Sequence, residues 1–274
     1  MDSAVPVDIQ GLVFDVRIGG PEDGPAVLLL HGFPENSGMW AGVTPALQEA
    51  GLRTVAPDQR GYSPGARPDG VEAYSIHHVV ADALGLLDAL GLRTAHVLGH
   101  DWGAVVAWNL AVRHPDRVAT LTAVSVPHPA AHAAALRTDP EQQRRSEYLA
   151  VFRRPDSEQL LLADGARRLR RMFGPVPADE FVVPLTEPGA LTGPLNWYRA
   201  MSRADIEGLG PVTVPTTYVW GTDDLAVSRV AAEDCAVHVT GPYRFVELPG
   251  VSHWVPEQEP DVVADLALDR ISGR

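Results

Sequence analysis

Short apolar runs separated by longer stretches with helical periodicity fill the first half of the chain. Four such runs are Ala26 to Leu30, Thr54 to Ala56, Ala95 to Leu98 and Thr120 to Val126. Each is separated from the next by a segment long enough to form a helix, and this alternation predicts a parallel sheet covered on both faces. The clearest helical stripe runs from Ile76 to Leu90, and Gly91 is expected to end it.

The pattern changes at both ends of this region. Val7 to Ile18 alternates apolar and polar residues around Gln10-Gly11 and predicts an antiparallel hairpin of edge strands. After Pro127 the sheet pattern stops, and short helices with proline-rich connections are expected until about residue 210. It resumes at Thr216 to Trp220 and Tyr243 to Leu248, before a closing helix around Val262 to Leu268. We therefore predict an α/β fold with a mostly parallel twisted sheet: a core of residues 1–127 and 211–274, and a helical cap of residues 128–210.

Composition narrows the possible partners. The 274 residues are 45% hydrophobic and 21% charged, as in an ordinary globular protein, and the formal net charge is -13. Such an acidic chain is not expected to bind nucleic acid or an anionic membrane surface, which leaves small molecules. The single cysteine, Cys235, the absence of a basic start or a signal-like apolar run near the N-terminus, and the lack of any long apolar stretch all favour the cytoplasm.

Two groups of residues suggest ligand binding but are better explained structurally. His128 and His132 have a spacing that could bind a metal, yet no carboxylate or cysteine flanks them in a familiar pattern, so we expect a surface or interface position. Four arginines, Arg167, Arg168, Arg170 and Arg171, could bind phosphate, but helical spacing spreads them over several faces and favours solvation. No cofactor or metal is expected.

The candidate nucleophile lies in the sequence Gly99-His-Asp-Trp-Gly103, between a predicted strand and a predicted helix. A turn of the form G-x-nucleophile-x-G places its central side chain above the carboxyl edge of a sheet. Here that residue is Asp101, which could otherwise serve only as a helix cap. A carboxylate is already ionised at neutral pH and attacks an electrophilic sp³ carbon directly. Epoxides and alkyl halides are therefore better substrates than esters or amides.

Partners for Asp101 follow other strands. His31-Gly-Phe-Pro34 occurs where a loop could donate the Phe33 N–H to an oxyanion, although it could also be an ordinary turn, and the Trp102 N–H is the expected second donor. Asp223 and Asp224 both follow a late strand; the spacing favours Asp224 as the carboxylate that orients a base. His253 is the expected base, and the chain order of nucleophile, acid and histidine is typical of α/β-hydrolases.

With these motifs assembled, the chain resembles the epoxide hydrolase branch of the α/β-hydrolase superfamily along nearly its whole length. The motifs that carry the resemblance are His31-Gly-Phe-Pro34, Gly99-His-Asp-Trp-Gly103, Ser125-Val-Pro-His-Pro129 and Gly250-Val-Ser-His-Trp254. The resemblance implies hydrolysis of epoxides to vicinal diols through a covalent ester on Asp101. It also implies two ring-polarising tyrosines, which map onto Tyr198 in Leu195-Asn-Trp-Tyr-Arg199 and, on a weaker match, Tyr148. The expected substrate pocket is lined by Phe33, Pro34, Trp102, Trp197 and Trp254.

Two alternative functions remain at this point. A haloalkane dehalogenase resembles the chain in fold and nucleophile, but such enzymes commonly have an asparagine at the position of Phe33, whose side chain cannot donate to a halide. Trp102 stands where fluoroacetate-type dehalogenases carry an arginine. A non-catalytic ligand-binding protein on the same scaffold is the third possibility, because fold alone does not fix function. The natural epoxide and the choice between monomer and homodimer stay open.

Overall fold

The central sheet contains eight strands and matches the predicted core. The structure is a computed structural model that describes residues 4–202 and 208–274. The strands are β1 (Val5–Ile9), β2 (Leu12–Gly19), β3 (Ala26–Leu30), β4 (Arg53–Pro57), β5 (Ala95–His100), β6 (Val118–Val124), β7 (Thr216–Gly221) and β8 (Tyr243–Leu248). Their spatial order is β1-β2-β4-β3-β5-β6-β7-β8, and every pair from β4 to β8 is parallel. The carboxyl ends of β3, β5, β6, β7 and β8 therefore meet at one edge of the sheet.

The N-terminal hairpin is confirmed, but only one of its strands lies at the edge. Gln10 and Gly11 both have positive φ, as a two-residue hairpin turn requires. β2 pairs with β1 on one side and with β4 on the other, where Arg17 lies opposite Ala56. The prediction that both strands are edge strands was wrong for β2, because alternation reveals which face is solvated and says nothing about the neighbouring strand.

Helices cover the sheet and fill the stretch between β6 and β7. They are α1 (Thr44–Glu49), α2 (Ile76–Ala89), α3 (Trp102–Arg113), α4 (Pro129–Thr138), α5 (Pro140–Arg145), α6 (Tyr148–Phe152), α7 (Ser157–Met172), α8 (Asp179–Leu185), α9 (Thr192–Ala200), α10 (Arg229–Glu233), α11 (Val255–Gln258) and α12 (Pro260–Ile271). α7 is interrupted by non-helical backbone at residues 163–166. Within the described part of the chain, no helix is long and apolar enough to cross a bilayer.

The segment predicted as a cap carries helices α4 to α9 in its described residues, and residues 203–207 of it lie outside the description. Two tryptophans connect it to the core by hydrogen bonds. The Trp197 indole N–H donates to the backbone oxygen of Arg60 at 2.9 Å, and the Trp254 indole N–H donates to that of Met172 at 2.8 Å. Arg60 is in turn held by a buried, bidentate ion pair with Asp82, with both N–O distances 2.6 Å. These contacts fix the helices above the sheet edge where the candidate site lies.

Candidate active site

Asp101 occupies a strained turn between β5 and α3. Its φ of 50° and ψ of -119° place a residue that is not glycine in a conformation rare for L-amino acids. The turn brings backbone segments close together, which two glycines allow. A Cβ on Gly103 would collide with the backbone of Leu30, and one on Gly99 with the backbone of Gly103. The two glycines of the motif therefore serve packing, while the strain lifts the Asp101 side chain clear of the sheet.

The two carboxylate oxygens of Asp101 have different surroundings. Oδ1 accepts a hydrogen bond from the Phe33 N–H at 2.8 Å, and Oδ2 lies 3.4 Å from Nε2 of His253. Among the described residues, no hydrogen bond joins the Trp102 N–H to Asp101. As the first residue of α3, however, Trp102 has an N–H without an intrahelical acceptor. One oxygen is thus bound by a backbone N–H and the other lies beside the His253 imidazole.

The loop that carries Phe33 is fixed by a buried histidine. Nε2 of His31 accepts the Gln59 N–H at 3.0 Å, so the ring carries its proton on Nδ1 and donates to the Gly32 oxygen at 2.9 Å. Burial lowers the pKa of His31, which favours this neutral form. A side chain on Gly32 would collide with Asp101. The His-Gly pair thus lets the loop that carries Phe33 lie directly against Asp101.

His253 and Asp224 are brought together by the neighbouring strands β7 and β8. Nδ1 of His253 lies 2.9 Å from Oδ2 of Asp224, whose Oδ1 accepts the N–H groups of Ala226 and Val227. Asp224 has no exposed surface, whereas Asp223 is exposed and lies in a turn with Thr222. The structure therefore places Asp224, and not Asp223, on the imidazole.

The charges of this group are interdependent. Burial opposes a charge on His253, but Asp224 and Asp101 more than offset it and hold the pKa of His253 well above its ordinary value. Burial also opposes ionisation of Asp101, yet contacts with His253 and the Phe33 N–H hold its pKa below the ordinary value. Both shifts favour a positive charge on His253 beside a negative charge on Asp101.

Tyr148 and Tyr198 both face this group from the cap. Their rings lie 6.4 Å apart between centroids and nearly perpendicular. Tyr198 packs edge-on against Phe33 and Trp102, at 5.3 and 5.1 Å, and Tyr148 packs against Phe152 at 5.1 Å. Burial and the charge of Asp101 raise the pKa of both phenols well above 10. Both are therefore protonated hydrogen-bond donors at neutral pH.

Two cavities meet at Asp101. The larger has a volume of about 460 Å³ and extends past Trp102 and His132. The smaller has a volume of about 210 Å³ and is lined by Phe33, His253 and Trp254 among others. Asp101 and both tyrosines line both cavities. A molecule whose reactive carbon lies at Asp101 can thus extend in two directions.

Two of the predicted pocket residues lie elsewhere. Pro34 lines neither of the two cavities and follows Phe33 through a cis peptide bond. Trp197 also lines neither, because its indole donates to Arg60 and its ring packs on Trp102 at 5.5 Å, so it connects cap and core. Aromatic character identified Trp197 as a large contact surface, but sequence could not show on which side of Trp102 the ring would pack.

The two histidines at the start of α4 differ in burial. His128, immediately before α4, is fully buried and stacks on His238 at 4.8 Å, whereas His132 is partly buried and lines the larger cavity beside the Gln142 amide. The expected surface or interface position was therefore wrong for His128, which packs against other parts of the chain. Across the described residues, no group of three His, Cys, Asp or Glu side chains could hold a metal. Of the arginine cluster, Arg167, Arg168 and Arg171 are exposed, as predicted, and Arg170 pairs with Asp179.

Three polar residues without a role predicted from the sequence, His100, Ser125 and Glu35, lie behind His253. Its backbone oxygen accepts hydrogen bonds from the His100 Nε2–H at 2.9 Å and the Ser125 hydroxyl at 2.7 Å. Nδ1 of His100 lies 2.9 Å from Oε2 of Glu35. A signal was available, because His100 lies within the motif that contains Asp101 and Glu35 directly follows the motif that contains Phe33.

Comparison with known proteins places this geometry in a family. A family model described as the alpha/beta hydrolase fold matches residues 25–260. Epoxide hydrolase A of Mycobacterium tuberculosis is 36% identical, with 97% of this chain and 96% of the relative aligned. The AB hydrolase superfamily protein YfhM of Bacillus subtilis is 34% identical, with 98% and 97% aligned.

Solved structures agree with this placement. The crystal structure of epoxide hydrolase A from Mycobacterium thermoresistibile has a TM-score of 0.87 and 32% identity, and covers 100% of this chain and 99% of that one. An epoxide hydrolase from a hot-environment metagenome has a TM-score of 0.89 and 29% identity, with 99% of each chain covered. Core and cap helices thus share one arrangement with these proteins.

Proposed function

The chain belongs to the epoxide hydrolase branch of the α/β-hydrolase superfamily, and we propose that it converts epoxides to vicinal diols through a covalent ester on Asp101. One observation carries the mechanism: Asp101 has one oxygen bound by the Phe33 N–H and the other 3.4 Å from His253, and it lines a cavity together with that imidazole and two phenols. A general base acting on water would have no need of an oxyanion donor on its own carboxylate.

In the first step, Oδ2 of Asp101 attacks a ring carbon and the carbon–oxygen bond of the epoxide breaks. The electron pair stays on the ring oxygen, where hydrogen bonds from Tyr198 and Tyr148 strengthen as charge develops. The proton that the resting enzyme holds on His253 balances this new negative charge. The products of the step are an ester, a hydroxyl group and a neutral histidine.

In the second step, neutral His253 removes a proton from water, and the resulting hydroxide attacks Cγ of Asp101. Asp224 stabilises the imidazolium that forms, while the N–H groups of Phe33 and Trp102 stabilise the oxyanion on Oδ1. Collapse of this intermediate breaks the ester bond, and the departing alkoxide takes the second proton. The diol leaves, and Asp101 and His253 return to their charged forms.

Formation of the ester also determines when His253 can act as a base. While Asp101 is ionised it holds the proton on His253, which prevents that residue from acting as a base. Alkylation removes one of the two negative charges beside the imidazole, and the pKa of His253 falls as a result. The base therefore becomes competent only after its substrate, the ester, has formed.

The test is to trap that ester. His253→Gln should open styrene oxide and accumulate protein heavier by one substrate mass, with a peptide map placing the adduct on Asp101; Asp101→Ala should form none. In wild type, a single turnover in ¹⁸O-labelled water should deliver mostly unlabelled oxygen to the diol, because that oxygen comes from the carboxylate. Fully labelled diol together with no adduct would reduce Asp101 to a general base.

A dehalogenase is the competing activity and is less well supported. A departing halide needs convergent N–H donors, whereas the groups that face Asp101 from the cap are phenols held by ring packing. Incubation with 1-bromobutane should release no bromide while styrene oxide is turned over. Absence of both activities would favour a ligand-binding protein.

A further inference from the structure

A chain of buried polar side chains leads from the backbone of His253 to Glu257. The His253 oxygen accepts the Nε2–H of His100, and Nδ1 of His100 lies 2.9 Å from Oε2 of Glu35, with neither side chain exposed. Next to Glu35 is Glu257, in the first turn of α11, and their two carboxyl groups interact directly. Neither glutamate reacts in the two steps proposed above.

The hydrogen bonds of His100 determine the protonation state of the His100–Glu35 pair. A carbonyl oxygen can only accept, so the proton of neutral His100 must be on Nε2. A 2.9 Å contact between Nδ1 and Oε2 then requires one more proton between His100 and Glu35. That proton lies on Glu35 if His100 is neutral, and burial lowers the pKa of His100, which favours the neutral ring.

The contact between Glu35 and Glu257 requires a proton as well. Oε1 of Glu35 and both oxygens of Glu257 are buried and accept no hydrogen bond from the described residues. With Glu35 already protonated, an ionised Glu257 would still be a buried charge that no donor compensates. Burial raises the pKa of Glu35 to about 7, and burial together with Glu35 raises that of Glu257 well above its ordinary value.

We propose that Glu257 is protonated in the working enzyme and is a positioning residue for the catalytic base. Its O–H donates to Oε1 of Glu35, Glu35 donates to His100, and His100 donates to the His253 oxygen, so every bond runs in one direction. The charged groups that face this chain are Asp101 and His253. A neutral Glu257 avoids adding another anion beside them and fixes the tautomer of His100 that holds His253.

This inference rests on the proposed function, because it assigns Glu257 a part in ester hydrolysis only. Two variants separate a donor from a packing role. Gln in Glu257→Gln keeps an N–H donor to Glu35 and should hydrolyse the ester at nearly the wild-type rate. Glu257→Leu keeps the approximate volume without the donor and should slow hydrolysis about tenfold, the lower range for residues that orient a reacting group. Ring opening should be unchanged in both, as measured by rapid-quench single turnovers of styrene oxide.

Infrared spectroscopy tests the protonation state without any reference to catalysis. The difference spectrum of wild type minus Glu257→Gln at neutral pH should contain the C=O stretch of an un-ionised carboxylic acid. The matched control is Glu259→Gln, two residues away at a partly exposed position, which should remove no such band. The infrared result also stands if Glu257→Leu folds poorly.

The outcomes separate the two proposals. Loss of a carboxylic acid band together with selective slowing of hydrolysis in Glu257→Leu supports the inference. A carboxylate band in place of the acid band, or equal hydrolysis rates in Glu257→Leu and wild type, overturns it, as does equal slowing in the Gln and Leu variants. If His253→Gln traps no ester, the proposed function fails instead, whatever the infrared spectrum shows.

Discussion

The core and the cap hold their functional side chains by different means. In the core, Asp101, Asp224 and His253 follow strand ends, and backbone N–H groups bind both carboxylates directly. In the cap, Tyr148 and Tyr198 are oriented chiefly by ring packing against Phe33, Trp102 and Phe152. Backbone hydrogen bonds fix position closely, whereas ring packing leaves more freedom along the ring planes.

This difference matches a division of the chemistry. In the proposed mechanism the cap contributes only to ring opening, where the two phenols meet the epoxide oxygen. The core contributes to both proposed steps, because Asp101 is first the nucleophile and then part of the ester. Core variants should therefore act on ester hydrolysis or on both steps, and cap variants on the first step alone.

The largest effect is expected for Asp224→Asn in the core. The variant loses the charge that orients and stabilises the His253 imidazolium, and the analogous change in a serine triad costs about 10⁴-fold in rate. Ester should accumulate, because ring opening does not need His253 as a base. Mass spectrometry during turnover of styrene oxide measures the ester. The matched variant Asp223→Asn should behave as wild type. If instead Asp223→Asn accumulated ester and Asp224→Asn did not, the carboxylate that orients His253 would be Asp223.

Tyr198→Phe in the cap is expected to slow ring opening by about 10²-fold, the size of a lost oxyanion donor. The ring is retained, so its packing on Trp102 and Phe33 should survive. Tyr148→Phe is the matched comparison and should act on the same step. Pre-steady-state alkylation rates provide the measurement, with ester hydrolysis as the internal control. An unchanged alkylation rate for Tyr198→Phe would show that one phenol suffices or that Tyr198 only packs.

The two steps should also differ in pH dependence. Ring opening needs ionised Asp101, whose pKa is below its ordinary value, and protonated His253 and phenols, whose pKa values are above theirs, so its rate should be flat around neutral pH. Ester hydrolysis needs neutral His253 and should fall about tenfold per pH unit on the acid side of that residue's pKa in the ester. Single-turnover rates measured across pH should show an acid limb for ester hydrolysis and none for ring opening. The same acid limb in both steps would contradict the roles assigned to the core.

The smallest effect on activity is expected at the contact between the two regions. Trp197→Phe removes the hydrogen bond to the Arg60 oxygen and part of a buried ring, at a cost of about 2 kcal/mol in free energy of unfolding. Its rates with styrene oxide should match wild type, because Trp197 lines neither cavity beside Asp101. Urea unfolding measures the loss in free energy of unfolding. A large change in Michaelis constant without loss of stability would return Trp197 to the substrate pocket.

The sequence by itself determined the sheet, its interruption by a helical segment and the grouping of the candidate catalytic residues at one edge. Apolar runs define buried strands through their period and length, and the G-x-D-x-G turn has few other uses between a strand and a helix. Parallel topology then brings the ends of β5, β7 and β8 to one edge, so Asp101, Asp224 and His253 could be grouped without coordinates. Neighbouring acids were harder to distinguish, and spacing favoured Asp224 over Asp223 without deciding between them.

Only the tertiary structure decided what depends on contacts between distant segments. That β2 is an interior strand, that Trp197 anchors the cap and that His128 lies inside the protein all follow from which surface packs against which. The charge states followed in the same way. Both groups are buried, yet the pKa of Asp101 is lowered and that of Glu257 is raised, because Asp101 meets the Phe33 N–H and His253 while Glu257 meets another carboxyl. These contacting groups come from residues far apart in the chain, so the local sequence pattern does not reveal them.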